Sequence, residues 1–157
     1  MEIKKIDTGC EIKLNETQIY INPSKIIKDS INILSDFTKK INFDKVFNLP
    51  GEYEVNGLYI KGYKNLNNII YVLSTRETKI LFADEDIKED IINSIYSDFG
   101  EFDVAILQNI KNFEKLKDKL KFKVVIFLEK NPKIKGEKVD KIKLNLKKLE
   151  EKTYLLV

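Results

Sequence analysis

Asp84-Glu85-Asp86 is the densest run of carboxylates in the chain, and it directly follows the apolar stretch Lys79 to Ala83. Three acids at a strand end are oxygen donors of the kind that hold Mg²⁺ or Ca²⁺. Acids also gather where a helix begins, because unpaired N–H groups and the helix dipole attract negative charge there. The second reading is favoured here, since Asp86 precedes a segment of helical periodicity. Cys10 is the single thiol, so it forms no internal disulfide, which fits a reducing compartment. The chain contains no histidine. That removes the usual acid–base group near neutral pH and the commonest ligand of zinc, and with them Ser-His and Cys-His mechanisms. Without a histidine to activate it, Cys10 reads as a structural thiol. Gly51, Gly57 and Gly62 belong to a hairpin rather than a strand-to-helix turn, so they do not form a phosphate loop. Tyr53, Tyr59, Tyr63 and Tyr71 read as sheet residues rather than a stacking platform.

The elements that must position these groups are mostly strands. A chain of 157 residues is long enough to bury a real core and is expected to form one domain, 1–157. Pro50-Gly51 is a turn signal, and Asn56-Gly57 divides two alternating runs, so a tight hairpin of 52–55 against 58–61 is expected, with Gly62 ending it. Before it, 2–6, 11–14 and 18–21 read as an antiparallel meander turning at Asn15-Glu16. A short helical turn at 25–29 capped by Ser24, a strand at 31–34, a loop or helical turn at 36–42 and a strand at 45–48 follow. After the hairpin the rhythm changes. Strands at 68–73, 79–83, 104–107 and 123–128 alternate with helices at 87–97 and 111–120, and 139–144 and 153–157 close the chain. Strand–helix–strand alternation predicts parallel connections in this half. No repeat and no low-complexity linker is visible.

At 43% hydrophobic and 34% charged residues, the composition is that of a folded soluble protein. No apolar run approaches the roughly 20 residues of a membrane helix. The N-terminal MEIKKIDTGC lacks the apolar core of a signal peptide, so a cytoplasmic location without membrane attachment is expected. Net charge is +3, but unevenly spread: residues 111–152 carry fifteen lysines against seven acids. Such a segment could bind a polyanion. A solvated lysine-rich surface is the favoured reading, because Arg76 is the only arginine and nucleic-acid sites favour arginine with interleaved aromatics.

Pro50-Gly51-Glu52-Tyr53-Glu54-Val55-x-Gly57-Leu58-x-Ile60-x-Gly62 resembles a segment of small metallo-β-lactamase-fold hydrolases, the branch that includes ascorbate-phosphate-lactonase-like zinc-dependent enzymes. The likeness keeps its order along the chain. Cys10 stands in the position of a Gly-His-x-Cys-Phe motif, and Ile21-Asn22-Pro23 replaces Ile-Asp-Pro. Asn68 to Leu73 is similar to an Asn-Thr-Ile-Tyr strand, Gly100 to Leu107 to a Gly-x-Val-Asp-Val-Leu-Leu-Ile strand, and Leu149 to Thr153 to the last turn and strand. The resemblance implies an α/β (α+β) fold: a shortened αββα sandwich of two mixed sheets flanked by helices.

It also implies where metal would sit, and there this chain departs from the pattern. Asp36 and Thr38 stand at the first two histidines of a His-x-His-x-Asp-His motif, Lys40 at its aspartate and Ile41 at its last histidine. Thr8 replaces the histidine of the opening motif, and Glu129 replaces the final one. The Gly-Asp of the family falls near Asp84 and Glu85, and a segment bearing another histidine, between Gly62 and Asn68, is missing. A lysine in a zinc-bridging region repels a dication, so zinc is expected to be absent, and Lys40 could pair instead with Asp36, Glu85 or Glu129. The expectation is a catalytically inactive relative kept as a binding or assembly module, with a protein partner or a second copy. The alternatives are a hydrolase with a carboxylate-only Mg²⁺ or Mn²⁺ site at Asp36, Asp84, Glu85 and Glu129, and a polyanion-binding protein using 111–152.

Overall fold

The computed structural model describes residues 1–38, 41, 44–129 and 133–157. In chain order its elements are β1 (Glu2–Lys5), β2 (Cys10–Leu14), β3 (Thr17–Ile21), β4 (Ile31–Ile33), β5 (Val46–Phe47), β6 (Gly51–Val55), β7 (Leu58–Lys64), β8 (Ile69–Ser74) and β9 (Lys79–Ala83). Then follow α1 (Glu89–Phe99), β10 (Val104–Leu107), α2 (Phe113–Leu120), β11 (Val124–Phe127), β12 (Glu137–Val139), β13 (Lys141–Lys143) and β14 (Lys152–Leu156).

Asn56 and Gly57 take φ of 52° and 77°, as a two-residue type I′ turn demands, and the register sets Val55 opposite Leu58 and Gly51 opposite Gly62. The hairpin is as expected, except that Gly62 does not end it. β7 runs on to Lys64, and Gly62 is needed mid-strand because a Cβ there would crowd Ile69, Tyr71 and the Leu49 carbonyl at 3.0–3.2 Å.

The strands form two mixed sheets, in the orders β13-β1-β2-β3-β4-β5 and β12-β14-β11-β10-β9-β8-β7-β6. The meander β1-β2-β3 is antiparallel as expected, but β3, β4 and β5 pair in parallel, correcting the reading of an antiparallel first half. The parallel run β9-β10-β11-β14 matches the expected second half. One expected strand, 139–144, is two. β12 joins the eight-stranded sheet beside β14, Asp140 intervenes, and β13 joins the six-stranded sheet beside β1. The expected helical turn at 25–29 does not form, because the buried Asn32 side chain takes the Ile27 N–H and donates to the Ile27 and Ser30 carbonyls.

Alternation along the strands divides the apolar residues between two cores. Ile3, Ile12, Ile19, Ile21 and Ile33 meet Tyr71, Phe82, Ile106 and Ile126 between the sheets. The other face of the eight-stranded sheet, with Val72, Leu81, Ala105 and Val125, packs on Ile92 and Ile95 of α1 and Leu116 and Leu120 of α2. Strands buried on both faces read as continuous apolar runs, which is why β8 to β11 were plain in the sequence. Both described helices therefore lie on one side. The outer face of the six-stranded sheet needs no cover, since it carries rows such as Lys143, Glu2, Lys13 and Gln18. No described helix is long and apolar enough to cross a membrane.

Candidate functional site

The ends of β3, β4 and β9 and the start of β8 meet at one end of the sandwich, and the loops leaving them enclose a cleft of about 530 Å³. Thr8, Asp36, Ile41 and Asp84 are among the residues that line it. Four of the positions that the sequence equates with metal ligands are thus brought together.

Its floor is a network of neutral amides and a hydroxyl around one carboxylate. Asn22 takes a left-handed φ of 49° just past β3. Its Oδ1 accepts the Ser35 N–H at 2.9 Å, and its Nδ2 donates to Ser35 Oγ at 2.9 Å and to Asp84 Oδ2 at 3.4 Å. Ser35 Oγ donates to the same Asp84 oxygen at 2.5 Å, and Asn68 Nδ2 donates to Asp84 Oδ1 at 3.1 Å. Burial pushes the Asp84 carboxyl above its ordinary value, and the bonds from Ser35 and Asn68 offset part of that rise. Thr8 Oγ1 donates to the Asn22 carbonyl, and beside it Gly9 lies so close to β3 that a Cβ would fall 1.8 Å from the Ile21 oxygen. The Ser35 carbonyl accepts the Ile69 N–H at 2.9 Å, and Tyr71 Oη donates to the Leu34 carbonyl at 2.8 Å, so the two sheets are joined through this corner.

Several of the expected site residues act locally or lie elsewhere. Asp36 and Thr38 are exposed, and Asp36 Oδ1 accepts the Thr38 N–H at 2.9 Å and its hydroxyl at 2.6 Å. Glu85 turns away from the cleft to the loop before β8, accepting the N–H groups of Asn67 and Asn68 and the Asn65 amide. Glu129 accepts the Asn109 N–H at 3.1 Å, past the end of β10. Lys40 lies outside the described residues. Asp86 was expected to cap its own helix, but α1 begins at Glu89 with no side-chain cap, and Asp86 Oδ1 accepts the Lys111 and Asn112 N–H groups that lead into α2. Consecutive carboxylates after β9 thus hold three different segments: Asp84 the corner of the other sheet, Glu85 the loop before β8, and Asp86 the approach to α2.

Sequence reasoning missed Asn22, Ser35 and Asn68 as members of the site, although Asn22 and Asn68 lie in segments matched to the family. The available signal was their type: each is a short polar side chain beside a β-branched run, where side chains bond to neighbouring backbone.

This donor set does not fit zinc. Among the described residues no three of Asp, Glu, Cys and His are grouped to hold a metal ion. Both Asp84 oxygens already accept side-chain donors. Cys10 is buried between the sheets, where desolvation lifts its thiol to about 12, and it is not grouped with other donors among the described residues.

No protein-family model and no curated protein matches the chain. Solved structures do. A candidate Zn-dependent hydrolase of the metallo-β-lactamase superfamily from Thermotoga maritima superposes with a TM-score of 0.75 at 22% identity, covering 99% of this chain and 98% of its own. The metallo-β-lactamase fold protein YhfI from Bacillus subtilis gives 0.59 at 7% identity over 80% of this chain and 85% of its own. The CmlA β-hydroxylase, as its E377D mutant, gives 0.57 at 7% identity over 80% of this chain and 45% of its own.

Proposed function

From the metallo-β-lactamase fold that this chain has, we propose a metal-free, catalytically inactive member of that hydrolase superfamily, kept as a binding or assembly module for another protein or a second copy. One observation carries the reading. Four of the positions equated with metal ligands, Thr8, Asp36, Ile41 and Asp84, line one cleft, and Asp84 there is spent on Ser35, Asn22 and Asn68. A hydrogen-bonded plug has taken the place of a coordination sphere. The carboxylate-only alternative has lost two of its four donors, because Glu85 and Glu129 hold backbone amides elsewhere. The polyanion alternative draws on lysines divided between α2, outside one sheet, and β13, at the edge of the other. The single buried thiol supports a reducing, cytoplasmic setting.

The deciding experiment measures the metal content of the purified protein and its melting temperature with added Zn²⁺, Mn²⁺ or Mg²⁺. The expected result is substoichiometric metal and no shift. A stoichiometric metal that raises the melting temperature, as linkage demands of a native-state ligand, overturns the proposal.

A further inference from the structure

Two strands at sheet edges carry charge of a single sign each. β6 is an outermost strand of the eight-stranded sheet, and β13 is one of the six-stranded sheet. In an antiparallel ladder, pairs that exchange both backbone bonds alternate with pairs that exchange none, and in a two-residue hairpin the pair beside the turn is bonded. Val55 and Leu58 are that pair, so Tyr53 and Gly51 also bond to β7, and Glu52 and Glu54 turn their N–H and C=O groups to the outer edge. In β13 the parity is set by Met1 and Leu144, which exchange both bonds at 3.0 and 2.8 Å. Ile142 therefore bonds to Ile3, and Lys141 and Lys143 turn their backbone groups outward. No other described strand pairs with either outer edge.

The side chains alternate in step with the backbone. Glu52 and Glu54 are exposed, while Tyr53 packs on the core between the sheets. Lys141 and Lys143 are exposed, while Ile142 is buried in that same core. Laid antiparallel, β6 of one copy and β13 of another would set Glu52 opposite Lys143, Tyr53 opposite Ile142 and Glu54 opposite Lys141. The two Glu–Lys pairs are then the ones that exchange backbone bonds. Either edge laid against its own kind would set acid against acid or lysine against lysine, which is unfavourable. Glu52 and Lys141 each have an ion pair in their own sheet, to Lys61 and Glu2, but none engages Glu54 or Lys143 among the described residues. The remaining outermost strands lack the match: β5 has two residues, and β12 places Glu137 beside Lys138.

We propose that β6 of one copy pairs with β13 of a second copy, joining an acidic edge to a basic one. The contact rests on the assembly role proposed above and names its partner, but its test reads association rather than metal, so either reading can fail alone. β12 and β13 are one residue apart on one side of the sandwich, and β5 and β6 lie on the other. Each joined pair of copies therefore keeps one edge of each kind free, and association runs on past a dimer.

The test is sedimentation equilibrium of the full chain up to about 1 mM, where weak contacts are populated. The expected result is a mass that rises with concentration past that of a dimer, with association weakened at about 1 M NaCl, where charges are screened beyond about 3 Å. Glu54→Lys and Lys141→Glu should each weaken it about fivefold, since an attractive cross-strand pair becomes a repulsive one. Mixing the two variants should restore it, because the altered edge of each then meets the altered edge of the other. A monomer at every concentration, a dimer that grows no further, or a mixture no more associated than its separate components each overturns the proposal. The wild-type series needs no variant, and both substituted side chains are exposed, so the variants are expected to fold, which circular dichroism checks.

Discussion

The two ends of the sandwich treat charge in opposite ways. At the Asp84 end, carboxylates are bonded to amides and a hydroxyl across several segments, and the corner joins the two sheets. At the Arg76 end, an exposed guanidinium and the exposed carboxylates of Glu16 and Glu77 stand at the hairpin turns with no ion pair to Arg76 among the described residues. One end uses its polar groups to hold itself together, and the other leaves its charges at the surface. Substitutions at the first end should therefore cost stability, and substitutions at the second should cost little.

The sharpest break of the contrast is Gly9→Ala. The added carbon would lie 1.8 Å from the Ile21 oxygen, backbone that cannot swing aside, so a loss of about 4 kcal/mol is expected from urea unfolding. A change below about 1 kcal/mol would mean that the corner is far softer than its geometry. Asn22→Ala comes next. It strands the buried Ser35 N–H and removes a donor to Asp84, which should cost about 1–3 kcal/mol by the same measurement.

Asp84→Asn tests the charge itself. The Asp84 carboxyl is raised above the ordinary aspartate value of 3.8, so the native state holds a proton that the unfolded chain has already lost. Its stabilising contribution is present below 3.8 and is lost as pH rises through the folded value. Asp98 is lowered by Lys61 and Tyr63, so its contribution runs the other way and is lost only as pH falls below 3.8. In urea midpoints measured upward from pH 4, the wild type should decline where Asp84→Asn stays flatter, and parallel profiles would contradict the assignment. The smallest effect belongs to the other end: Arg76→Gln should leave stability within about 0.5 kcal/mol, because Arg76 is exposed and no ion pair engages it among the described residues.

Local chemistry decided what could be read in advance. The Asn56-Gly57 turn was legible because two adjacent residues fix its backbone, and β8 to β11 because strands covered on both faces leave no polar alternation. The parallel pairing of β3, β4 and β5 was not, since a strand of Ile31–Ile33 says nothing of its neighbour's direction. Val139 and Ile142 look like one strand until two sheets claim them separately. Four residues the resemblance named, Thr8, Asp36, Ile41 and Asp84, line one cleft, but the resemblance said nothing of the bonds that fill it. Asn22, Ser35 and Asn68 meet there only because three loops distant in sequence converge. Glu85 and Asp86 were misread for the same reason, as their partners lie in the 65–68 loop and before α2.

The division of 137–143 between the two sheets has a consequence for how the chain assembles. Glu2 pairs with Lys143, and the N-terminal amine donates to the Leu144 carbonyl, while Val139, only a few residues earlier, pairs with Leu156. During synthesis, β1 has β2 beside it early, yet its other edge stays open until β13, at Lys141–Lys143, has left the ribosome. Contacts of such long separation are slow to form, because the loop entropy is lost before the pairing rewards it. A stalled or truncated chain ending before β12 would therefore expose an unpaired β1 edge, and that intermediate is the one most prone to pair with another chain.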